Sequence, residues 1–504
     1  MGHVHRAIAT TSPEAQRHFD AGLAVAYGFN YEEAFYELRV ATHADPACAM
    51  CWWGMAYLAG PTINDPMRQF PMALDFAQRA AALAHTPVEK ALTAALAKRF
   101  GMSGPPQHHA YAEAMREVAT QFPDDIDVLV LASEALMLDT PLGPNWTKPE
   151  GKPSSPNILA GKQLLEHALA LDRDHIGAIH FYIHLLDDGP YQELTLPYAD
   201  RLGTLAPGAG HLIHMPSHIY LHVGRWADAE DANHHAIAAD TEYLSTGVPN
   251  GEYAGFAHHP KDFLWYVLLW EGERAQAVKL AGELANAMMG MDPAAPDWTG
   301  TYLPYTYARF AMWDEALGLG DPKGPASGVA VHFAKGLALA AKGKLDEAAA
   351  EAALARKAPE LPPLVPPDPN DPHVARTHEF RVQVAESAAK TIEAAIAEGR
   401  GDRAAAITLL RDAVAAEDKA PPLGEPPAWP FSARQRLGAV LLADGKPADA
   451  ATAYREDLAK HPHNGWALWG LATALDAQHD PGAKAAWQEF TREWARADVK
   501  ASIR

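Results

Sequence analysis

The chain has 504 residues, of which 42 are basic and 63 acidic, for a formal net charge of −21. That length exceeds what one hydrophobic core sustains, so either several domains or a repeat array is required. The acidic balance disfavours nucleic acid and anionic membranes as partners, and no apolar run approaches the roughly 18 residues of a membrane span.

The first residues, Met1 to Arg6, lack the apolar core of a signal peptide, which predicts a cytoplasmic protein, or a periplasmic one if a signal peptide has been removed. From Pro13 the pattern is helical. Gly22, Ala34, Leu38, Ala41 and Pro46 fall at the offsets of a 34-residue helical hairpin repeat, and Trp52 stands where the next repeat wants a large residue. The two cysteines, Cys48 and Cys51, lie in PACAMCWWGMAYLAG, which reads as a helix. One CxxC is half of a four-cysteine zinc site. The favoured reading is two small buried residues, with a redox or metal-linked role as the alternative.

Hairpins are expected from Pro13 to about Phe122 and from Asp124 to about Gly290. Three proline-rich stretches interrupt the array: Thr140 to Pro156, Ala358 to Pro372 and Ala420 to Pro430. The first two are candidate lids, and the second marks the expected boundary. The organisation read from this is an N-terminal solenoid over 13–357 carrying the histidines, a loop at 358–375, and C-terminal repeats over 376–504. Near the C-terminus, Leu437-Gly438, Ala450, Tyr454 and Pro462 fit one repeat, and Trp466, Gly470 and Leu471 open another. The predicted fold is all-α, a right-handed α-solenoid of tetratricopeptide-like hairpins.

Of 25 histidines, 11 lie between residues 171 and 270. With repeats starting near Ile176 and Gly210, His180 and His184 occupy positions 5 and 9 of one unit, and His214 and His218 the same positions of the next. His211 adds position 2. A third unit starting near His258 places His259, Asp262 and Tyr266 at positions 2, 5 and 9. Spacings of three and four put side chains on one helix face. His180, His184 and Asp187 therefore share a face, as do His211, His214 and His218, both aimed into one concave groove. Pro216 lies early in the second helix and predicts either a helix start there or a kink.

Helical HxxxH pairs chelate transition metals, and two pairs on adjacent helices can hold one ion or two. The expected ligands are His180, His184, His211, His214, His218 and His259. An imidazole-rich set favours copper, while Asp187 and Asp262 keep iron and zinc open, as ligands or orienting partners. Tyr266 is the best-aligned proton donor or radical site, ahead of Tyr182 and Tyr220, with Asp187 and Asp262 as further catalytic candidates. Ser217 has no nucleophile-elbow context. The first expectation is a metal-dependent oxidoreductase acting on a small organic molecule, with metal-assisted hydrolysis second. The alternatives are a scaffold binding a peptide or protein, and a metal-binding protein without turnover.

The blocks FDAGLAVAYGFNYEEA, CAMCWWGMAYLAGPTIN, HFYIH, GHLIHMPSHIYLHVGRW and EPPAWPFSARQRLGAVLL span nearly the whole chain. In them the sequence resembles a bacterial group of tetratricopeptide repeat proteins that carry HYYIH followed by a glutamate, and then HMPSHI. His180, His184, His211, His214 and His218 match. Asp187 stands at the glutamate position, a shorter carboxylate less suited to direct ligation. The resemblance speaks to fold and site and leaves the reaction open.

Overall fold

A computed structural model describes residues 4–100, 104–140, 151–246, 251–287, 294–367 and 373–502. Among these residues there is no strand, and no helix is long and apolar enough to cross a membrane. The chain is an all-α solenoid of tetratricopeptide-like helical hairpins, divided into two units. The first comprises Met1–Ile219 with Ala232–Pro260, and the second Tyr220–Asp231 with Lys261–Arg504.

In the first unit, Pro13–Ala26 pairs with Tyr31–Ala44, Ala49–Leu58 with Ala73–Leu83, Pro87–Ala97 with His108–Gln121, and Ile126–Leu138 with Pro156–Leu171. Each helix packs on the next, and Pro13–Ala26 also meets Ala49–Leu58, which in turn meets Pro87–Ala97. That contact between a helix and the next but one stacks hairpins into an array. Local chemistry sets the helix starts. Ser12, Asn30, Asp125 and Ser155 each accept a hydrogen bond from a first-turn backbone N–H, and Thr86 with Glu89 forms a reciprocal capping box.

The small residues of the repeat act as expected. A Cβ on Gly22 or Gly54 would come within 2.8 or 2.7 Å of Leu38, so both glycines let their helices close on that buried leucine. Trp52, expected to fill the gap between hairpins, is only partly buried; its Nε1–H donates to the Pro46 carbonyl and Arg79 covers its ring. Trp53 is the buried one, because the helix turns that side inward. Cys48 and Cys51 are buried and joined in a disulfide, and Cys48 caps Ala49–Leu58. The sulfurs are therefore bonded to each other rather than forming a free thiol pair, a pairing that the spacing did not reveal.

In the second unit, Pro325–Ala341 and Leu345–Lys357 both pack on His373–Gly399, so the stretch expected as a boundary, 358–375, lies inside one unit. It opens with a short 3-10 turn, Ala358–Glu360, and its residues 368–372 lie outside the described ones, as do residues 141–150 of the first proline-rich stretch. The array continues through Arg403–Glu417, Ala433–Ala443, Pro447–Lys460, Gly465–Asp476 and Ala483–Glu493.

Tyr454 is the hub of these last repeats. It is fully buried, and Cβ atoms on Gly438 and Gly470 would lie 2.5 and 2.2 Å from its ring. Gly470→Ala should therefore overpack the hairpin and cost about 1–3 kcal/mol, read as a lowered Tm. Gly482→Ala, whose Cβ meets only the Asp480 carboxylate at 3.0 Å and Leu475 at 3.8 Å, should change it little.

Candidate metal centre

The helices Ile176–Leu186 and Gly210–His214 start where the repeat frame put them, 34 residues apart, and the third begins at His259. Pro216 resolves as a break: one helix ends at His214, Met215 links, and a second runs Pro216–Val223. Proline offers no N–H to the turn before it, and the backbone bridges the gap with a bond from His218 N–H to Met215 O.

Within the first unit the histidines form two groups. His180, His184 and His211 bring ligand atoms within 4.8 Å of one another, and so do His214, His218 and His259. Each group takes the HxxxH pair of one repeat and the position-2 histidine of the next. The second group is the first one displaced by a repeat. The two are adjacent, with ring centroids 6.0 Å apart for both His184–His218 and His211–His214. Five of the six histidines are buried and His259 is partly buried. This differs from the open groove expected from the repeat positions, because other parts of the same unit cover the imidazoles.

The first-hairpin turn supplies that cover. His180 Nδ1 donates to the Tyr27 carbonyl at 2.6 Å. The Phe29 ring lies 4.4, 5.5 and 5.1 Å from the rings of His180, His184 and His211. Phe29 has φ of 59°, a left-handed backbone rarely adopted by a bulky residue, and is held there while its ring fills the space above the imidazoles. Phe256 adds an edge contact to His211. Tyr27 is itself clamped. Its hydroxyl donates to Asp127 at 2.7 Å, its ring meets His175, and Gly177 gives the ring room. Burial would raise the Asp127 carboxyl, but His175, Arg6 and Tyr27 together hold it down at about 2. The anchor of Tyr27 is thus a fixed negative charge. None of this was legible in AYGFNY, because nothing in a turn's composition says which helix 150 residues away it will touch.

Hydrogen bonds assign two of the tautomers. His180 Nδ1 faces a carbonyl, His214 Nδ1 faces the Asn233 amide oxygen at 2.6 Å, and His218 Nδ1 faces the Asp187 carboxylate at 3.4 Å. The Nδ1 atoms of His180 and His214 therefore carry their protons and leave each Nε2 a bare lone pair. Yet the Nε2 atoms of His214 and His218 stand 3.0 Å apart, and those of His180 and His211 3.1 Å. Each bare lone pair is met either by a partner tautomer that carries its proton on Nε2 or by a cation between the two rings. Protonation is opposed: burial, above all, pulls His180 down to about 3 and drives His211 and His214 well below the usual imidazole range, with neighbouring imidazoles adding to the shift.

Asp187 thus stands behind an imidazole rather than among the Nε2 atoms, as its short side chain suggested. Ser217 Oγ is 3.3 Å from His214 Nδ1, but that nitrogen is committed as a donor to Asn233 and cannot take the serine proton. Tyr182 is directed to Glu166. Asp262, Tyr266 and Tyr220 belong to the second unit. There Tyr302 donates to Asp262, whose carboxyl is raised by burial to about 7. Tyr266 is buried against Trp270, and Arg225 lies over Tyr220. His109 and His332 pair with Asp139 and Glu351.

The pH dependence follows from these shifts. A histidine depressed in the folded state binds its proton more readily when unfolded, so its stabilisation is complete above the unfolded pKa near 6.5 and is lost as pH falls toward the folded value. For His180 the loss at pH 5 should be about 2 kcal/mol. Urea unfolding of metal-free protein at pH 7 and pH 5 should show this fall, and His180→Gln should reduce the difference by about that amount.

No protein-family model matches the chain, and no curated protein sequence matches it. Solved structures similar to it include the P58(IPK) TPR domain, at 10% identity, covering 92% of this chain and 98% of that one, with a TM-score of 0.24. Yeast Tom70 is similar at 12% identity over 95% of this chain and 93% of that one, with a TM-score of 0.29. The human IFIT1 dimer with m7Gppp-AAAA is similar at 12% identity over 98% and 92%, with a TM-score of 0.31.

Proposed function

We propose that the protein is a metal-dependent oxidoreductase whose first unit holds two adjacent transition-metal ions, each on three histidines, and which acts on a small organic molecule. The observation that carries this reading is the gathering of buried imidazoles into two triads with Nε2 facing Nε2 at 3.0 and 3.1 Å, while the Nδ1 atoms of His180 and His214 are committed to backbone and amide acceptors and Asp187 lies 3.4 Å from His218 Nδ1. This is the arrangement of ligands oriented by outer partners.

The donor set favours copper. Six imidazoles suit the late first-row metals, and copper stands at the top of the affinity order for nitrogen sites. Charge argues the same way. The two triads contain no carboxylate and five of the six histidines are buried, so a pair of ions that can fall to a single charge each is easier to hold than two permanently divalent ones. A copper pair would supply two one-electron couples, matched to dioxygen as oxidant. The chain's part is to keep protons on Nδ1 through Tyr27, Asn233 and Asp187, and to exclude water with Phe29 and Phe256. Zinc and iron remain the other metals that imidazole accepts, and the bacterial HYYIH/HMPSHI group is the family this reading implies.

A second reading rests on the fold. Tetratricopeptide-like arrays commonly present a surface to a peptide or protein. The histidine face is buried rather than displayed, which favours the metal reading for that face.

Elemental analysis of protein made without a histidine tag tests the proposal. About two equivalents of metal are expected, with His211→Ala holding about one and His184→Ala with His218→Ala holding almost none. Asp187→Asn should weaken metal affinity about 10–100-fold with the fold intact. Metal-free, folded wild-type protein after growth with copper, zinc and iron would overturn it. Metal without oxygen consumption across a panel of phenols, amines and thiols would reduce it to metal binding.

A further inference from the structure

The second unit contains a cavity of about 230 Å³ that the metal reading does not use. Its wall is largely apolar, and the rings of Trp265, Trp298, Tyr302 and Tyr305 form part of it. Trp265 and Trp298 both meet Tyr302 edge-on, at centroid distances of 4.8 and 6.3 Å. Two of the polar ends in this wall are already engaged: Trp265 Nε1–H donates to Thr306, and the Tyr302 hydroxyl to Asp262. One side is closed by residues 423–428, part of the proline-rich stretch singled out in the sequence.

Charge on the lining is uneven. Asp262 and Glu425 contribute carboxyl groups, and Arg381 is the single basic group among the described lining residues; a cation held beside Asp262 would draw that carboxyl, raised by burial, into its ionised form. Aromatic faces are electron-rich, and a ring-walled site next to a carboxylate attracts an organic cation more strongly than a neutral or anionic molecule of the same shape. The volume lies below the usual range for drug-sized ligands, which suits a single-ring body. We propose that this cavity binds a small organic ammonium, with its charged nitrogen toward Asp262 and its apolar body between the tryptophan and tyrosine rings. The site stands whether or not the histidines hold metal.

Three probes with one ring and different heads decide the matter: 2-phenylethylammonium, 2-phenylethanol and 3-phenylpropionate. They are titrated calorimetrically into metal-free full-length protein, so that failure here is separate from failure of the metal centre. The ammonium should bind saturably and about tenfold more tightly than the alcohol, with the acid weaker still. Asp262→Asn should bring the ammonium to the level of the alcohol, and Trp298→Ala should weaken both by about tenfold. Circular dichroism and Tm check both variants. If Asp262→Asn fails to fold, the ranking of the three heads on wild type and the Trp298→Ala result decide alone. The acid or the alcohol binding as tightly as the ammonium would overturn the proposal. So would a folded Asp262→Asn variant that binds the ammonium unchanged, or no saturable binding of any probe.

Discussion

The first unit depends on keeping imidazoles neutral and oriented in a buried place. A neutral imidazole has one donor nitrogen and one acceptor nitrogen, and burial makes each choice expensive to leave unmet. The protein fixes the choice at Nδ1 of His180 and His214, with the Tyr27 carbonyl and the Asn233 amide, and sets the Asp187 carboxylate 3.4 Å from His218 Nδ1. The Nε2 lone pairs of His180 and His214 are then left facing other imidazoles, at 3.1 and 3.0 Å.

That arrangement reaches far from the histidines. Tyr27 presents its carbonyl because its ring sits over Gly177 and its hydroxyl is tied to Asp127, which Arg6 and His175 hold ionised. Arg6 in turn forks onto Asp125, the cap of Ile126–Leu138. The N-terminal segment, the first hairpin turn and the fourth hairpin therefore converge on one imidazole. Phe29 accepts a left-handed backbone in the same turn. Strain of that kind persists only where its surroundings over-determine it, and the three histidine rings packed on Phe29, two of them stacked, are those surroundings.

The repeat explains why there are two groups. A solenoid places the same positions of successive units side by side. An HxxxH pair at positions 5 and 9 meets position 2 of the next repeat, and one translation later the same three positions meet again. His211 and His259 therefore have equivalent roles although their neighbours in sequence differ: a leucine follows His211 and a proline follows His259. In the third unit, positions 5 and 9 hold Asp262 and Tyr266 in place of histidine, so the imidazole series ends there.

The sequence by itself determined the helical hairpins and their 34-residue phase and singled out the six histidines, because periodicity and small residues are local and survive in one dimension. Ile176 and Gly210 as helix starts were readable from spacing, as was the place of Gly22, Leu38, Gly438, Tyr454 and Gly470 in the repeat. The Cys48–Cys51 bond, Phe29, Asn233 and the division of the histidines into two triads were not. Only the tertiary structure decided these. They depend on which distant turn or helix approaches a given face, and a contact between residues 29 and 180 leaves no mark on the spacing of either.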